Sequence, residues 1–253
     1  MQSSPSSDGT ALGSDAGPAV NLRDLEFSWT RLTPVLSIER FEVARGERVF
    51  LKGPSGSGKS TLLSLISGVI GASPGTCLVL GKDLGRLSTS RRDALRAEQI
   101  GVIFQMFNLV PYLSVLDNVL LPLTFSAARR RAVRATGNPE RQEAERLLAS
   151  LGLGDEAIHA RQPTALGVGQ QQRVAAARAL IGSPDLILAD EPTSALDQEA
   201  QSGFVNLLLE ECARRGSTLI FVSHDTRLSG VFDRVVDLSE INSARAGAER
   251  LSA

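Results

Sequence analysis

Apolar positions fall into short runs at residues 20–27, 36–43, 48–52, 77–80, 100–104, 186–189, 218–222 and 235–238. These runs are rich in Val, Ile, Leu and Phe, and Gly, Pro, Asp or Ser bounds most of them, as expected of β-strands. The first three follow closely on one another, and Arg45-Gly46 is a turn dipeptide, so they predict an antiparallel meander. The later runs are apolar throughout and alternate with helical patterns, which predicts a parallel sheet covered on both faces. Between residues 105 and 170 the strand signal fades. Helical patterns dominate at 115–125 and 140–151, with Pro139 as a helix-start signal, and the region reads as a helical insertion. The segment 127–139 between them carries Arg129, Arg130, Arg131 and Arg134. It reads as a solvated basic loop, with contact to anionic lipid headgroups as the alternative.

One stretch, residues 61–80, contains no charge over a length that could nominally cross a bilayer. Gly68, Gly71, Pro74 and Gly75 interrupt it, so helix, turn and buried strand fit better. The chain has 253 residues, 42% hydrophobic and 22% charged, with a net charge of −1. That is enough for one large domain or two small ones, and it shows no basic excess for wrapping nucleic acid; no such partner is expected. Cys77 and Cys212 have the spacing of neither a disulfide framework nor a zinc site, which fits a reducing, cytoplasmic setting. Residues 1–18, rich in Ser, Gly and Pro and without a basic or apolar leader region, read as a disordered tail.

The chemistry is concentrated in two places. Gly53-Pro54-Ser55-Gly56-Ser57-Gly58-Lys59-Ser60 follows the strand at 48–52 and opens a helix beginning with Thr61, satisfying G-x-x-x-x-G-K-[ST] at every fixed position. Glycines let successive N–H groups face a phosphate, and the helix start adds its positive dipole end. Lys59 is placed to reach the β- and γ-phosphates of ATP, and the Ser60 hydroxyl to ligate Mg²⁺. The second place is the apolar run 186–189, which ends in Asp190-Glu191 and delivers two carboxylates to the edge of a parallel sheet where α/β ligands bind. Asp190 then holds the Mg²⁺ shell and Glu191 polarises the attacking water as general base. Alone, such an acidic strand end is commonplace; the phosphate loop gives it meaning.

Leu166-Gly167-Val168-Gly169-Gln170, followed by Q-Q-R-V-A-A-A-R-A-L, resembles the L-S-G-G-Q signature of ABC ATPases. The likeness extends over roughly residues 20 to 240. Gln105 in I-G-V-I-F-Q corresponds to the family's Q-loop, Ser194-Ala195-Leu196-Asp197 to its D-loop, and His224 in F-V-S-H-D to its switch histidine. Trp29 stands where the family puts an aromatic against adenine; the competing reading is a core aromatic, with Phe27 as the buried member of the alternating pair. The resemblance implies an α/β P-loop NTPase with a RecA-like parallel-sheet core, an N-terminal antiparallel β subdomain and a helical subdomain at about 106–168. It sets one ATP-binding domain at 19–240, followed by a tail at 241–253. It further implies a head-to-tail dimer in which each nucleotide lies between one chain's phosphate loop and the other's signature. In that arrangement His224 senses the γ-phosphate, and Gln105 touches Mg²⁺ and links the site to the helical insertion. The segments Q-M-F-N-L-V-P-Y-L-S-V-L-D-N-V-L-L-P-L and L-A-D-E-P-T-S-A-L-D resemble the lipoprotein-releasing and macrolide-exporting branch. That branch implies an integral membrane permease partner and a peripheral place on the inner face of the membrane.

The signature departs from the family at Gly167, where a Ser hydroxyl donates to the γ-phosphate, and at Val168, where a Gly stands. If the site needs φ > 0 at Val168, strain adds to the missing hydrogen bond. Two further functions compete with transport. One is a nucleotide-gated regulatory protein that controls a membrane complex without moving cargo. The other, an ABC ATPase acting on DNA or ribosomes, lacks a coiled-coil insertion or second cassette.

Overall fold

The computed structural model describes residues 17–30 and 33–244. The expected tails therefore lie outside these residues, apart from 17–18 and 241–244. In chain order the elements are β1 (Val20–Thr30), β2 (Thr33–Val43), β3 (Arg48–Lys52), α1 (Lys59–Ile66), β4 (Cys77–Val79), β5 (Lys82–Asp83), α2 (Thr89–Gln99) and β6 (Ile100–Ile103). A run of helices follows: α3 (Val115–Phe125), α4 (Ala127–Ala135), α5 (Glu140–Ser150), α6 (Glu156–His159) and α7 (Val168–Leu180). The chain then alternates through β7 (Leu186–Asp190), α8 (Gln198–Arg215), β8 (Thr218–Val222), β9 (Arg234–Asp237) and α9 (Leu238–Ile241).

Two sheets result. An antiparallel sheet has the order β2-β1-β4-β5, and a five-stranded sheet has the order β6-β7-β8-β3-β9 with parallel pairing throughout. The antiparallel meander expected from the first three runs is corrected here. β1 and β2 pair, but β3 leaves them and joins the parallel sheet between β8 and β9. The transfer occurs at the predicted turn, where Gly46 adopts φ 75° and its N–H donates to Thr218 Oγ1 at 2.9 Å. β3 reads as a continuous apolar run because both its faces are covered. Phe50 packs with Phe221 in one core, whereas Val49 and Leu51 pack with Ile220 and Val222 in the other.

The basic segment was expected to be a solvated loop, and it is a helix. Ser126 caps α4 by accepting from the Arg129 N–H at 3.1 Å, and Val133 is buried. Arg129 is only 3% exposed, and its guanidinium donates to the carbonyls of Ile100 (2.7 Å), Ile181 (3.0 Å) and Ala179 (3.2 Å). Burial lowers its pKa to about 10. It joins α4, the end of α7 and the start of β6, so it offers nothing to a lipid headgroup. Four arginines in nine residues hide a narrow apolar stripe, which is why the pattern reads as loop.

The tail expected from residue 241 is also corrected: Ile241 ends α9, Asn242 and Ala244 are buried, and Ser243 N–H donates to Ser37 O at 2.9 Å. α5 and α8 are tied by ions. Arg146 reaches both Glu143 and Glu211, and Arg215 also pairs with Glu143. Burial would raise the Glu211 carboxyl, but hydrogen bonds from Arg146 and Arg214 outweigh it and hold the pKa down at about 2.

Arg129→Ala strips three carbonyls of their donor and opens a cavity. It should lower the unfolding free energy in urea by about 3 kcal/mol, while Arg131→Ala, at an exposed position, stays within about 0.5 kcal/mol of the parent.

Candidate nucleotide-binding site

Parallel register brings three strand ends to one level. Leu51 of β3 pairs with Val222 of β8, which also pairs with Asp190 of β7. The phosphate loop therefore leaves β3 beside Asp190-Glu191 and His224. The loop and the two carboxylates bound a cleft of about 340 Å³ lined by Val35, Ser55, Gly56, Gly58, Lys59, Ser60, Thr61, Gln105, Asp190 and Glu191, with His224 at its edge through Glu191. Gly53, Pro54 and Ser57 shape the loop from beneath: Lys59 Nζ donates to the Gly53 and Pro54 carbonyls at 2.8 and 3.0 Å, and Ser57 is buried.

The loop needs glycine for two separable reasons at Gly58. Its φ is 100°, and a Cβ there would lie 2.8 Å from Leu36 Cδ2 and 3.3 Å from the Val35 carbonyl. β2 therefore presses against the loop from the other sheet. Gly58 also precedes α1 without a side-chain cap, which leaves the N–H groups at the helix start pointing into the cleft.

The carboxylates sit in different surroundings. Asp190 is pushed above the usual carboxylate range, chiefly by burial; a hydrogen bond with Ser60 opposes this, Glu191 adds to it and Lys59 counters it. Glu191 follows β7 in a left-handed conformation, φ 42°, fixed by its N–H donating to the Val222 carbonyl at 3.0 Å. Such a backbone costs a non-glycine residue about 1–3 kcal/mol and concentrates at functional sites. One Glu191 oxygen lies 3.8 Å from Lys59 Nζ, and the other lies 3.1 Å from His224 Nδ1. With Nδ1 donating to that carboxylate, a neutral His224 keeps Nε2 as an acceptor. The Ser60 hydroxyl, the Asp190 carboxylate and the Gln105 amide oxygen form a hard-oxygen set suited to Mg²⁺ that keeps ligand positions for phosphates.

The remaining expected residues lie elsewhere on the same chain. Trp29 is 63% exposed and meets Phe27 edge-on at 5.1 Å, which rules out a core aromatic; Phe27 is the partly buried member of the pair. Leu166 is buried, and the signature helix α7 begins at Val168, inside the signature itself. Val168, at the first helical position, does not have positive φ, so the expected strain is absent. Gly167 occupies the N-cap with φ −64° and ψ 156°, and its N–H donates to Gln170 Oε1 at 3.1 Å. Gly169 is fitted against Leu196 of the D-loop segment. Ser194 and Ala195 are exposed in that segment, while Asp197 caps α8 by accepting from the Ala200 N–H at 2.9 Å. Val35, which no sequence motif singles out, also lines the cleft. Its signal is a β-bulge, which residue patterns do not reveal.

These motifs and this fold define a class. The chain matches the family described as ABC transporter over residues 36–194, and it belongs to that family of ATP-hydrolysing cassettes. Among its relatives, the lipoprotein-releasing system ATP-binding protein LolD of Anaeromyxobacter dehalogenans is 42% identical over 87% of this chain and 89% of its own. The macrolide export ATP-binding/permease protein MacB of Rhodopseudomonas palustris is 38% identical over 89% of this chain, which spans 33% of that longer protein. A solved dimer of the ATP-binding cassette MJ0796, in a post-hydrolysis state with ADP and Pi bound, superposes with a TM-score of 0.72 at 32% identity, covering 89% of this chain and 95% of that one. Within its family, then, this chain is an ATP-binding subunit that resembles the lipoprotein-release and macrolide-export branch.

Gly58→Ala should cost about 1–3 kcal/mol through its left-handed backbone and the contact with Leu36. A fall in melting temperature checks it, against Gly203→Ala in the open interior of α8, which should be neutral or stabilising.

Proposed function

We propose that the chain binds MgATP, pairs head-to-tail with a second copy, and by hydrolysis drives an integral membrane permease of the lipoprotein-release or macrolide-export kind from the cytoplasmic face. The observation that carries this reading is the convergence of Lys59, Ser60, Gln105, Asp190 and Glu191 on one cleft, with His224 bonded to Glu191. In this reading the loop N–H groups and Lys59 grip the β- and γ-phosphates. Ser60, Asp190 and Gln105 would hold Mg²⁺, which when bound would offset the negative charge of the transferring phosphoryl group. Glu191 takes the proton of the attacking water, and His224 orients that carboxylate and the water. Leu166 to Gln170 present the start of α7 to the partner's γ-phosphate, and Ser194 to Asp197 lie along the same face. Trp29 stacks on the base.

The permease partner is supported by a second surface. A groove of about 430 Å³ runs between α2, α3 and β6, lined by Phe104, Leu121, Pro122 and Phe125. Phe104 directly precedes Gln105, and Met106 and Phe125 are 81% and 75% exposed. An apolar groove next to a cleft residue suits a cytoplasmic segment of a membrane partner. Among the described residues no helix is long and apolar enough to cross a membrane.

The regulatory reading gains from Gly167 alone. Without a hydroxyl there, a hydrogen bond to a charged group worth about 1.5–3 kcal/mol is missing, enough to weaken ATP-driven pairing ten- to a hundredfold. Whether partner-stimulated turnover accompanies movement of cargo separates the two readings.

Two outcomes are expected. Glu191→Gln should abolish steady-state ATP hydrolysis and trap an ATP-bound dimer on gel filtration; parental turnover in this variant excludes Glu191 as the base. Gly167→Ser should raise turnover roughly tenfold, because the extended N-cap backbone accepts Ser and the nearest atom to the new Cβ is 3.9 Å away. An unchanged or lower rate removes the argument.

A further inference from the structure

Asn242 lies just past α9, in a stretch that reads as tail, yet it is only 7% exposed and joins segments about two hundred residues apart. Its Nδ2 donates to the carbonyls of Val35 at 2.9 Å and Ser57 at 3.2 Å. Its Oδ1 accepts from the N–H groups of Ser37 at 2.8 Å and Ala244 at 3.2 Å.

The two carbonyls that Nδ2 reaches bear on the nucleotide cleft. Ser57 belongs to the phosphate loop. Val35 is the extra residue of a bulge, since Phe27 pairs with Leu36 and Ser28 with Pro34. A bulged residue drops out of its ladder, and here Asn242 takes its carbonyl. Val35 lines the cleft, and Trp29 lies on the strand opposite the bulge. We infer that Asn242 is a positioning residue for nucleotide binding, which holds the phosphate loop and the bulge of β2 together so that the two sheets present one cleft.

This inference rests on the ATP-binding reading, and one set of measurements separates their failures. The full chain carries Asn242→Ala or Asn242→Asp; MgADP binding is measured by calorimetry, and MgATP hydrolysis supplies KM and kcat. The Asp variant keeps acceptors for Ser37 and Ala244 but turns an ionised oxygen toward two carbonyls. Mere anchoring of the chain end would survive that change, whereas the inferred role would not. Both variants should raise KM and the MgADP Kd about tenfold, the worth of two neutral hydrogen bonds, with kcat within about twofold. An Asp variant with parental KM, or a loss confined to kcat or melting temperature, overturns the inference. Should the Ala variant not fold, the near-isosteric Asp comparison decides alone. A parent that neither binds MgADP nor hydrolyses MgATP overturns the nucleotide reading and this inference with it.

Discussion

The site depends on the parallel ladder of β7, β8 and β3. Because Asp190 pairs with Val222 and Val222 with Leu51, the chain leaves three strands at one height. The phosphate loop, the two carboxylates and His224 become neighbours although more than a hundred residues separate the first from the last. A shift of one residue in either pairing would turn every side chain to the opposite face, placing Phe50 or Phe221 against the wrong core. The same burial that fixes the register thus fixes the chemistry.

That ladder supports local features that would be costly alone. Glu191 keeps a left-handed backbone because its N–H is committed to Val222, at the end of the neighbouring strand. Burial raises the pKa of the neighbouring Asp190, with the Ser60 hydrogen bond and the Lys59 charge opposing that shift. Two carboxylates one residue apart therefore have different surroundings, one sheltered near a hydroxyl and one turned toward an imidazole.

Legibility in the sequence followed interaction range. The phosphate loop is local, with eight contiguous residues and a strand and helix around it, so its geometry was readable from spacing. The run 218–222 was readable because a strand buried on both faces is apolar throughout. β3 was misassigned to a meander because a short apolar strand after a turn looks the same in either sheet; only pairing with β8 and β9 decides. α4 was misread because Arg129 looks like a surface charge until the three carbonyls it satisfies are known. Asn242 was invisible for the same reason: a polar residue near the chain end declares nothing about partners two hundred positions away. The roles of Gln105, His224 and the signature came from family likeness, and only the positions of Gln105 and His224 beside the cleft are visible within a single chain.

The altered signature shows how fold and chemistry can part. Gly169 cannot grow freely, because a Cβ there would lie 3.3 Å from Leu196 of the neighbouring loop. Gly167 has no such neighbour, and its extended backbone would suit a serine. Val168 sits at the first helical turn with its side chain 46% exposed and meets no backbone demand for glycine. The departures therefore fall where the fold of one chain is indifferent, and the backbone start of α7 at Gly167 and Val168 makes no demand for serine or glycine. In the proposed head-to-tail pair the start of α7 faces the other copy's nucleotide, so these departures would act on pairing and turnover rather than on folding.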